Sequence, residues 1–195
     1  MQWPNSDGSV RGRTSDKVPT ELAHDGEHWK WGFEIGYGQP RHQWFKFGLD
    51  PAQEKDVSYL TINYPDPRAL PPAYDLEVSP ARLRTEYLIC LREHTLRVLK
   101  SQLGQGVLDT TPLRFVITVP AIWNEAAKAQ TLQCAVDASL GSDIRIVSEP
   151  EAAVVHAFDA MDPHDFRRGD TFVLCDAGGG TVDLIFYSLL ETERY

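Results

Sequence analysis

The chain has 195 residues, 42% of them apolar and 24% charged, an ordinary composition for one globular domain or two small ones. Its formal net charge is -9, from 28 acidic and 19 basic residues. This charge argues against nucleic-acid and anionic-membrane partners, which need clustered Lys and Arg. No run of about 18 apolar residues occurs, and the first residues do not form a secretory signal. We therefore expect a cytoplasmic protein without a membrane or nucleic-acid partner.

Cysteine, histidine and aromatic residues do not predict a metal, disulfide or base-stacking site. Cys90, Cys134 and Cys175 are odd in number and lie in apolar stretches, which favours reduced core thiols. The six histidines lack ligand spacing such as His-Glu-x-x-His, so we interpret them as structural or surface groups. Four aromatic residues predict a small core, because little positive charge surrounds them: Trp29, Trp31, Trp44 and Phe45.

The first predicted elements are two short strands over residues 18–23 and 28–35, joined at the hairpin turn signal Asp25-Gly26. A short helix is predicted over residues 43–49. Four prolines then predict an extended linker: Pro65, Pro67, Pro71 and Pro72. Longer elements follow, so we expect a subdomain boundary near residues 72–78.

A long helix opens the next part of the chain. Ser79 as N-cap and Pro80 at the first helical position predict its start, and Gly104 predicts its end after Leu103. The apolar run 113–119, between two prolines, predicts a strand that is buried on both faces.

A second helix is predicted to begin at its N-cap Asn124. Its predicted buried stripe consists of Leu132, Ala135, Val136 and Leu140. Residues 144–147 predict another strand, and Ser148 with Glu151 forms a capping-box pattern that opens a third helix. This alternation of strands and helices is the order of an α/β fold.

The motif Asp176-Ala177-Gly178-Gly179-Gly180-Thr181 lies between two apolar runs, 172–175 and 182–186, and predicts the tip of a strand-turn-strand unit. Three bare glycines favour a plain hairpin turn. The carboxylate and the hydroxyl beside them favour a phosphate site, because glycine lets backbone N–H groups converge on an anion. We therefore predict a nucleotide phosphate site here.

Glu149 follows a strand and begins a helix, and α/β folds bind ligands at such strand ends. An acid in the first helical turn also stabilises the helix dipole by about 0.3 to 1 kcal/mol without a catalytic role. The residue types alone leave both interpretations open.

Three motifs together resemble the 70-kDa heat-shock protein branch of the actin-like ATPase superfamily. They are Val-Pro-Ala-x-x-Asn at 119–124, Glu-Pro-x-Ala-Ala at 149–153 and the glycine motif at 176–181. Residues 30–33 and 42–46 look most like the divergent heat-shock-like proteins of filamentous fungi, which keep the ATPase unit and lack the usual peptide-binding domain. The resemblance implies an α/β, ribonuclease H-like actin-like ATPase fold, and ATP or ADP with Mg²⁺ as cofactors.

Site residues follow from this resemblance by position. It assigns Asp176 to the water shell of the magnesium ion, and it makes Gly178, Gly179, Gly180 and Thr181 the second phosphate loop. Glu149 matches the carboxylate beside the attacking water, and Lys46 is a looser match to the catalytic lysine. The implied mechanism is in-line phosphoryl transfer from ATP to water.

The resemblance also implies an incomplete fold, with most of the first lobe and the first hairpin of the second lobe. It divides the chain into a small β-containing subdomain with linker at 1–77, an α/β first-lobe core at 78–167 and the start of the second lobe at 168–195. The family's first phosphate loop and its adenosine motif have no match in the chain. We therefore expect a marginally stable fragment that is inactive alone.

The leading functional hypothesis is an ATP-binding and ATP-hydrolysing, chaperone-type module, with client proteins or co-chaperones as partners. One alternative is a sugar or acetate kinase of the same superfamily. Another is a non-catalytic protein-interaction remnant of the fold.

Overall fold

The structure, a computed structural model, describes Trp3 and residues 17–70, 78–160, 167–177 and 182–190, without the side chain of Asp183. Contacts divide the chain into two compact units. The first unit is Met1–Phe115 with Asn124–Ile144, and the second is Val116–Trp123 with Arg145–Tyr195. The domain boundaries expected from the sequence stay a prediction.

The predicted N-terminal hairpin is confirmed, although its strands are shorter than expected. Strands β1 (Leu22–His24) and β2 (Trp29–Trp31) pair antiparallel. In the turn, the Asp25 carboxylate accepts hydrogen bonds from the backbone N–H groups of Glu27 at 3.1 Å and His28 at 2.9 Å. Gly26 has a φ of 105°, which glycine adopts without strain. Local side-chain chemistry therefore forms this turn.

Only part of the helix predicted over 43–49 is present, as a 3-10 turn at Phe47–Leu49. A second 3-10 turn at Pro51–Gln53 leads into helix α1 (Glu54–Asn63). The sequence analysis missed α1. None of its residues is buried, so it lacks the covered apolar face of a core helix.

Helix α2 (Pro80–Leu103) begins and ends where the sequence predicts. The Ser79 hydroxyl accepts a hydrogen bond from the Arg82 backbone N–H at 3.2 Å, and Gly104 follows the helix with a φ of 83°. A short helix, α3 (Gln105–Thr110), follows directly. The core of the first unit joins α2 to the hairpin and contains Leu22, Trp31, Phe45, Leu83 and Tyr87.

Helix α4 (Glu125–Asp137) has the predicted cap, because Asn124 Oδ1 accepts a hydrogen bond from the Ala127 N–H at 2.9 Å. The predicted stripe is partly wrong. Leu132 and Val136 are exposed, and the buried face of the helix carries small residues: Ala127, Thr131, Cys134 and Ala135. The physical reason is that α4 packs against α2. Small side chains allow the two helices to approach closely.

Strands β3 (Phe115–Val119) and β4 (Ile144–Ser148) are hydrogen-bonded neighbours. The sequence predicts both strands correctly, but the expectation that β3 is buried on both faces is wrong. Ile117 and Val119 are buried, whereas Val116 is 57% exposed. Burial in β3 thus alternates, as in a strand covered on one side. Helix α5 (Glu149–Ala160) follows β4 directly.

Strands β5 (Thr171–Ala177) and β6 (Val182–Ser188) form an antiparallel hairpin, which confirms the predicted strand-turn-strand unit. Within the described ranges, no helix is both long enough and apolar enough to cross a membrane.

Candidate functional site

Asp176 is the last but one residue of β5, immediately before the connection to β6. In the hairpin register it pairs with Asp183, and Ala177 pairs with Val182. Four residues therefore connect the paired strand ends. They are the predicted phosphate-loop residues Gly178, Gly179, Gly180 and Thr181, and they lie outside the described residues.

Asp176 lies on the more covered face of β5, together with Phe172, because alternate residues of a strand share a side. The Phe172 ring packs edge-on against Phe158 of α5, with ring centroids 5.3 Å apart. α5 thus lies over the face that also carries the carboxylate. Asp176 is half-buried there.

Cys175 has an exposed thiol, so the expectation of a core cysteine is wrong for this residue. It precedes Asp176 in β5 and lies on the opposite face of the strand. The other two thiols are more enclosed, and burial raises the pKa of Cys90 to about 12 and also raises the pKa of Cys134. Successive side chains of a strand point to opposite faces. The sequence could therefore have predicted an exposed Cys175 from a covered Asp176.

Glu149 is the first residue of α5 and comes directly after β4. The predicted capping box between Ser148 and Glu151 is confirmed. Glu151 Oε2 accepts hydrogen bonds from the Ser148 N–H at 3.0 Å and the Ser148 hydroxyl at 2.6 Å. In return, the Glu151 N–H donates to the Ser148 hydroxyl oxygen at 3.3 Å. Glu149 itself is half-buried at the strand-to-helix junction.

Lys46 precedes the 3-10 turn Phe47–Leu49, and its carbonyl oxygen accepts a hydrogen bond from the Leu49 N–H at 3.3 Å. Its side chain is half-buried. It belongs to the first unit, whereas Glu149 and Asp176 both belong to the second unit. The structure thus brings two of the three predicted catalytic residues into one compact unit.

No three His, Cys, Asp or Glu side chains form a possible metal cluster in the parts of the chain that the structure describes. Among the described side chains, Asp176 is therefore not part of a cage of three or more protein ligands.

Comparison with known proteins gives a distant relationship. No family model matches the chain. The chain is 25% identical over 258 residues to "Heat shock 70 kDa protein 12A" of Mus musculus, and equally to the protein of that name from Homo sapiens. The alignments cover 100% of this chain and 37% of each relative, so the chain spans about 37% of the relatives' length. The matches support a relationship to 70-kDa heat-shock proteins, and the mixed α/β structure with small sheets is compatible with an actin-like ATPase fold.

Proposed function

We propose that this chain is an ATP-binding module of the 70-kDa heat-shock type, with its phosphate site at the β5–β6 connection. The observation that carries the proposal is the position of Asp176, half-buried at the end of β5, where it is the first residue of the glycine motif. The whole-chain similarity to heat-shock relatives supports this function over the sugar or acetate kinase alternative.

The residues fit a magnesium ion that arrives with the nucleotide. Mg²⁺ keeps several waters and binds through one or two carboxylates plus substrate phosphates, so one carboxylate at a strand end is a suitable donor. Asp176 would accept hydrogen bonds from metal-bound water. Thr181 would donate its hydroxyl, and the glycine backbone its N–H groups, to phosphate oxygens. When bound, the ion neutralises charge that develops on the phosphoryl oxygens.

For hydrolysis, we propose that Glu149 orients the attacking water, because it is half-buried where β4 ends and α5 begins, and α/β folds bind ligands at such strand ends. Lys46 stays a candidate for the catalytic lysine by resemblance alone. For the whole protein, the proposal extends to a cytoplasmic chaperone-type ATPase of the fungal heat-shock-like kind, with client proteins or co-chaperones as partners.

The test is calorimetric titration of the 195-residue chain with ATP and Mg²⁺, and with ADP and Mg²⁺. We expect saturable binding that Asp176→Asn weakens by at least about tenfold, because a charge-assisted hydrogen bond is lost. Asp159→Asn is the matched control, since Asp159 is an exposed carboxylate of α5 in the same unit. It should bind as the unsubstituted chain does.

Two results would contradict the proposal. One is the absence of nucleotide binding to the unsubstituted chain. The other is equal affinity of the Asp176→Asn and Asp159→Asn variants, which would favour the non-catalytic interaction alternative.

A further inference from the structure

The first unit contains a cavity of about 350 Å³ that no sequence motif predicted. It lies beside α1, between the 3-10 turns and the start of α2. Small-molecule sites in proteins typically have volumes of about 300 to 1,000 Å³, with mostly apolar walls and a few polar groups. The size of this cavity therefore suits a compact organic ligand.

The cavity wall is mostly apolar. Its aromatic and aliphatic side chains include Trp44, Phe47, Val57, Leu70 and Leu83. The rings of Trp44 and Phe47 lie with their centroids 6.0 Å apart and form an aromatic corner. Contact with such a wall favours a ligand with an apolar body.

Every formal charge among the described wall residues is negative. The two charged residues are Asp50 and Glu54. His42 also lines the cavity, and burial lowers its pKa, so it is neutral at pH 7. An anion such as a nucleotide would meet repulsion here, and a cation would meet attraction.

Asp50 is only 2% exposed. Its Oδ1 accepts hydrogen bonds from the Ala52 N–H at 3.1 Å and from the Asn124 side-chain amide at 3.3 Å. Both donors are neutral, and no Lys or Arg within the described ranges forms an ion pair with Asp50. A buried carboxylate is costly without a cationic partner, so Asp50 would attract a ligand cation.

Trp44 has a φ of 61°, in the left-handed region that bulky residues rarely adopt. Such strain costs on the order of 1 to 3 kcal/mol, and it is often found at ligand sites. Here the strained backbone belongs to an aromatic wall residue of the cavity. Aromatic faces attract ammonium groups when these are partly desolvated.

We propose that this cavity binds a small organic ammonium compound. The apolar body lies against the aromatic corner, and the protonated nitrogen donates a hydrogen bond to Asp50 and contacts the ring of Trp44. This site is distinct from the proposed phosphate site, because its charges repel phosphate and because Asp176 and Glu149 belong to the second unit.

The experiment uses three probes with the same phenyl ring: phenethylamine, phenethyl alcohol and phenylpropionate. Their binding to the full chain is measured by ligand-detected nuclear magnetic resonance and calorimetry. We expect the amine to bind at least about tenfold more tightly than the alcohol, because it alone carries a positive charge that pairs with the Asp50 carboxylate. The carboxylate should bind most weakly, and ATP with Mg²⁺ should not displace the amine.

Asp50→Asn should abolish the preference for the amine, since asparagine can still cap the following turn without carrying the charge. Asp109→Asn, at an exposed carboxylate of α3, is the matched control and should keep the preference. If Asp50→Asn does not fold, Trp44→Gly is the second test, and it should also lose the preference for the amine. Glycine accepts the positive φ at this position and removes the ring. Equal binding of all probes, no binding of the amine, or a preference that survives both cavity substitutions would overturn the proposal.

Discussion

Arg41 shows how a charged side chain organises the first unit. It is buried, and its Nη1 donates to Glu21 Oε2 at 2.8 Å. Its Nη2 donates to the carbonyl oxygens of Gly36 at 2.8 Å and Tyr37 at 3.1 Å, and its Nε donates to the Gln39 carbonyl at 3.1 Å. A buried guanidinium is tolerated because its donors and its charge have partners. This residue therefore holds the irregular segment after β2 against the residue that precedes β1.

The lowered pKa values of Asp25 and Asp66 make the stability of the fold depend on pH in the acidic range. The backbone N–H groups of His28 and Glu27 lower the pKa of Asp25 to about 2, from an ordinary value of 3.8. The side chain of Arg68, followed by its backbone N–H, holds the pKa of Asp66 well below the usual range. Because both folded-state pKa values lie below the unfolded ones, the stabilisation is present above about pH 4 and is lost as the pH falls towards about 2.

We expect the urea midpoint of the chain to decrease over this acidic range. The doubly substituted chain, Asp25→Asn with Asp66→Asn, should be less stable at neutral pH and should converge with the unsubstituted chain only below about pH 2. A constant difference between the two proteins across the titration would contradict this assignment of the pH dependence.

At the scale of elements, the contact between α2 and α4 depends on small side chains. Cys134 Sγ lies 3.5 Å from the Ala81 carbonyl oxygen, and Arg92 Nη1 donates to the Ala138 carbonyl at 2.8 Å. Ala135 is 0% exposed on the same face of α4. The neighbouring Val136 is 50% exposed, so one step along the helix changes from the packed face to the outer face.

Enlarging these two neighbours should therefore have different effects. Ala135→Leu should lower the free energy of unfolding by about 1 to 3 kcal/mol, because a packed helix contact does not accommodate three more carbon atoms. Val136→Leu is the matched control and should change stability by less than about 0.5 kcal/mol. Urea denaturation followed by circular dichroism measures both. Similar losses in the two variants would mean that α4 is rotated from the orientation described here.

Across the whole molecule, buried apolar side chains are unevenly distributed. Most described core residues belong to the first unit, whereas the β5–β6 hairpin contributes none. The outer face of this hairpin is more than half exposed at Val173, Val182, Leu184 and Phe186. Segments with few buried apolar contacts open at lower free energy than packed cores.

Amide hydrogen exchange should therefore differ between the units. We expect the amides of α2 near Leu83 and Tyr87 to exchange slowly, and those of β5 and β6 to exchange much faster, although both are hydrogen-bonded. Mass spectrometry of peptides after timed exchange measures this at pH 7. Equal protection of the hairpin and α2 would show that the second unit is as firmly packed as the first.

Several elements could be predicted from the sequence because they depend on residues only a few positions apart. Ser79 caps α2, Asn124 caps α4, and the Ser148–Glu151 pair caps α5 through contacts within one turn. The Asp25 turn forms in the same way. The strand-turn-strand unit around Asp176 was equally visible, because two apolar runs flank a glycine motif.

Local sequence patterns thus predicted where helices α2, α4 and α5 begin, and they singled out Glu149 and Asp176 as candidate site residues. Which faces are buried follows from the packing of the elements: Ala135 and not Val136 in α4, and the Asp176 side and not the Cys175 side of β5. The tertiary structure also placed Trp44 and Asp50 around one cavity. Local patterns do not contain this information, because burial depends on which distant elements meet and how closely their side chains let them approach.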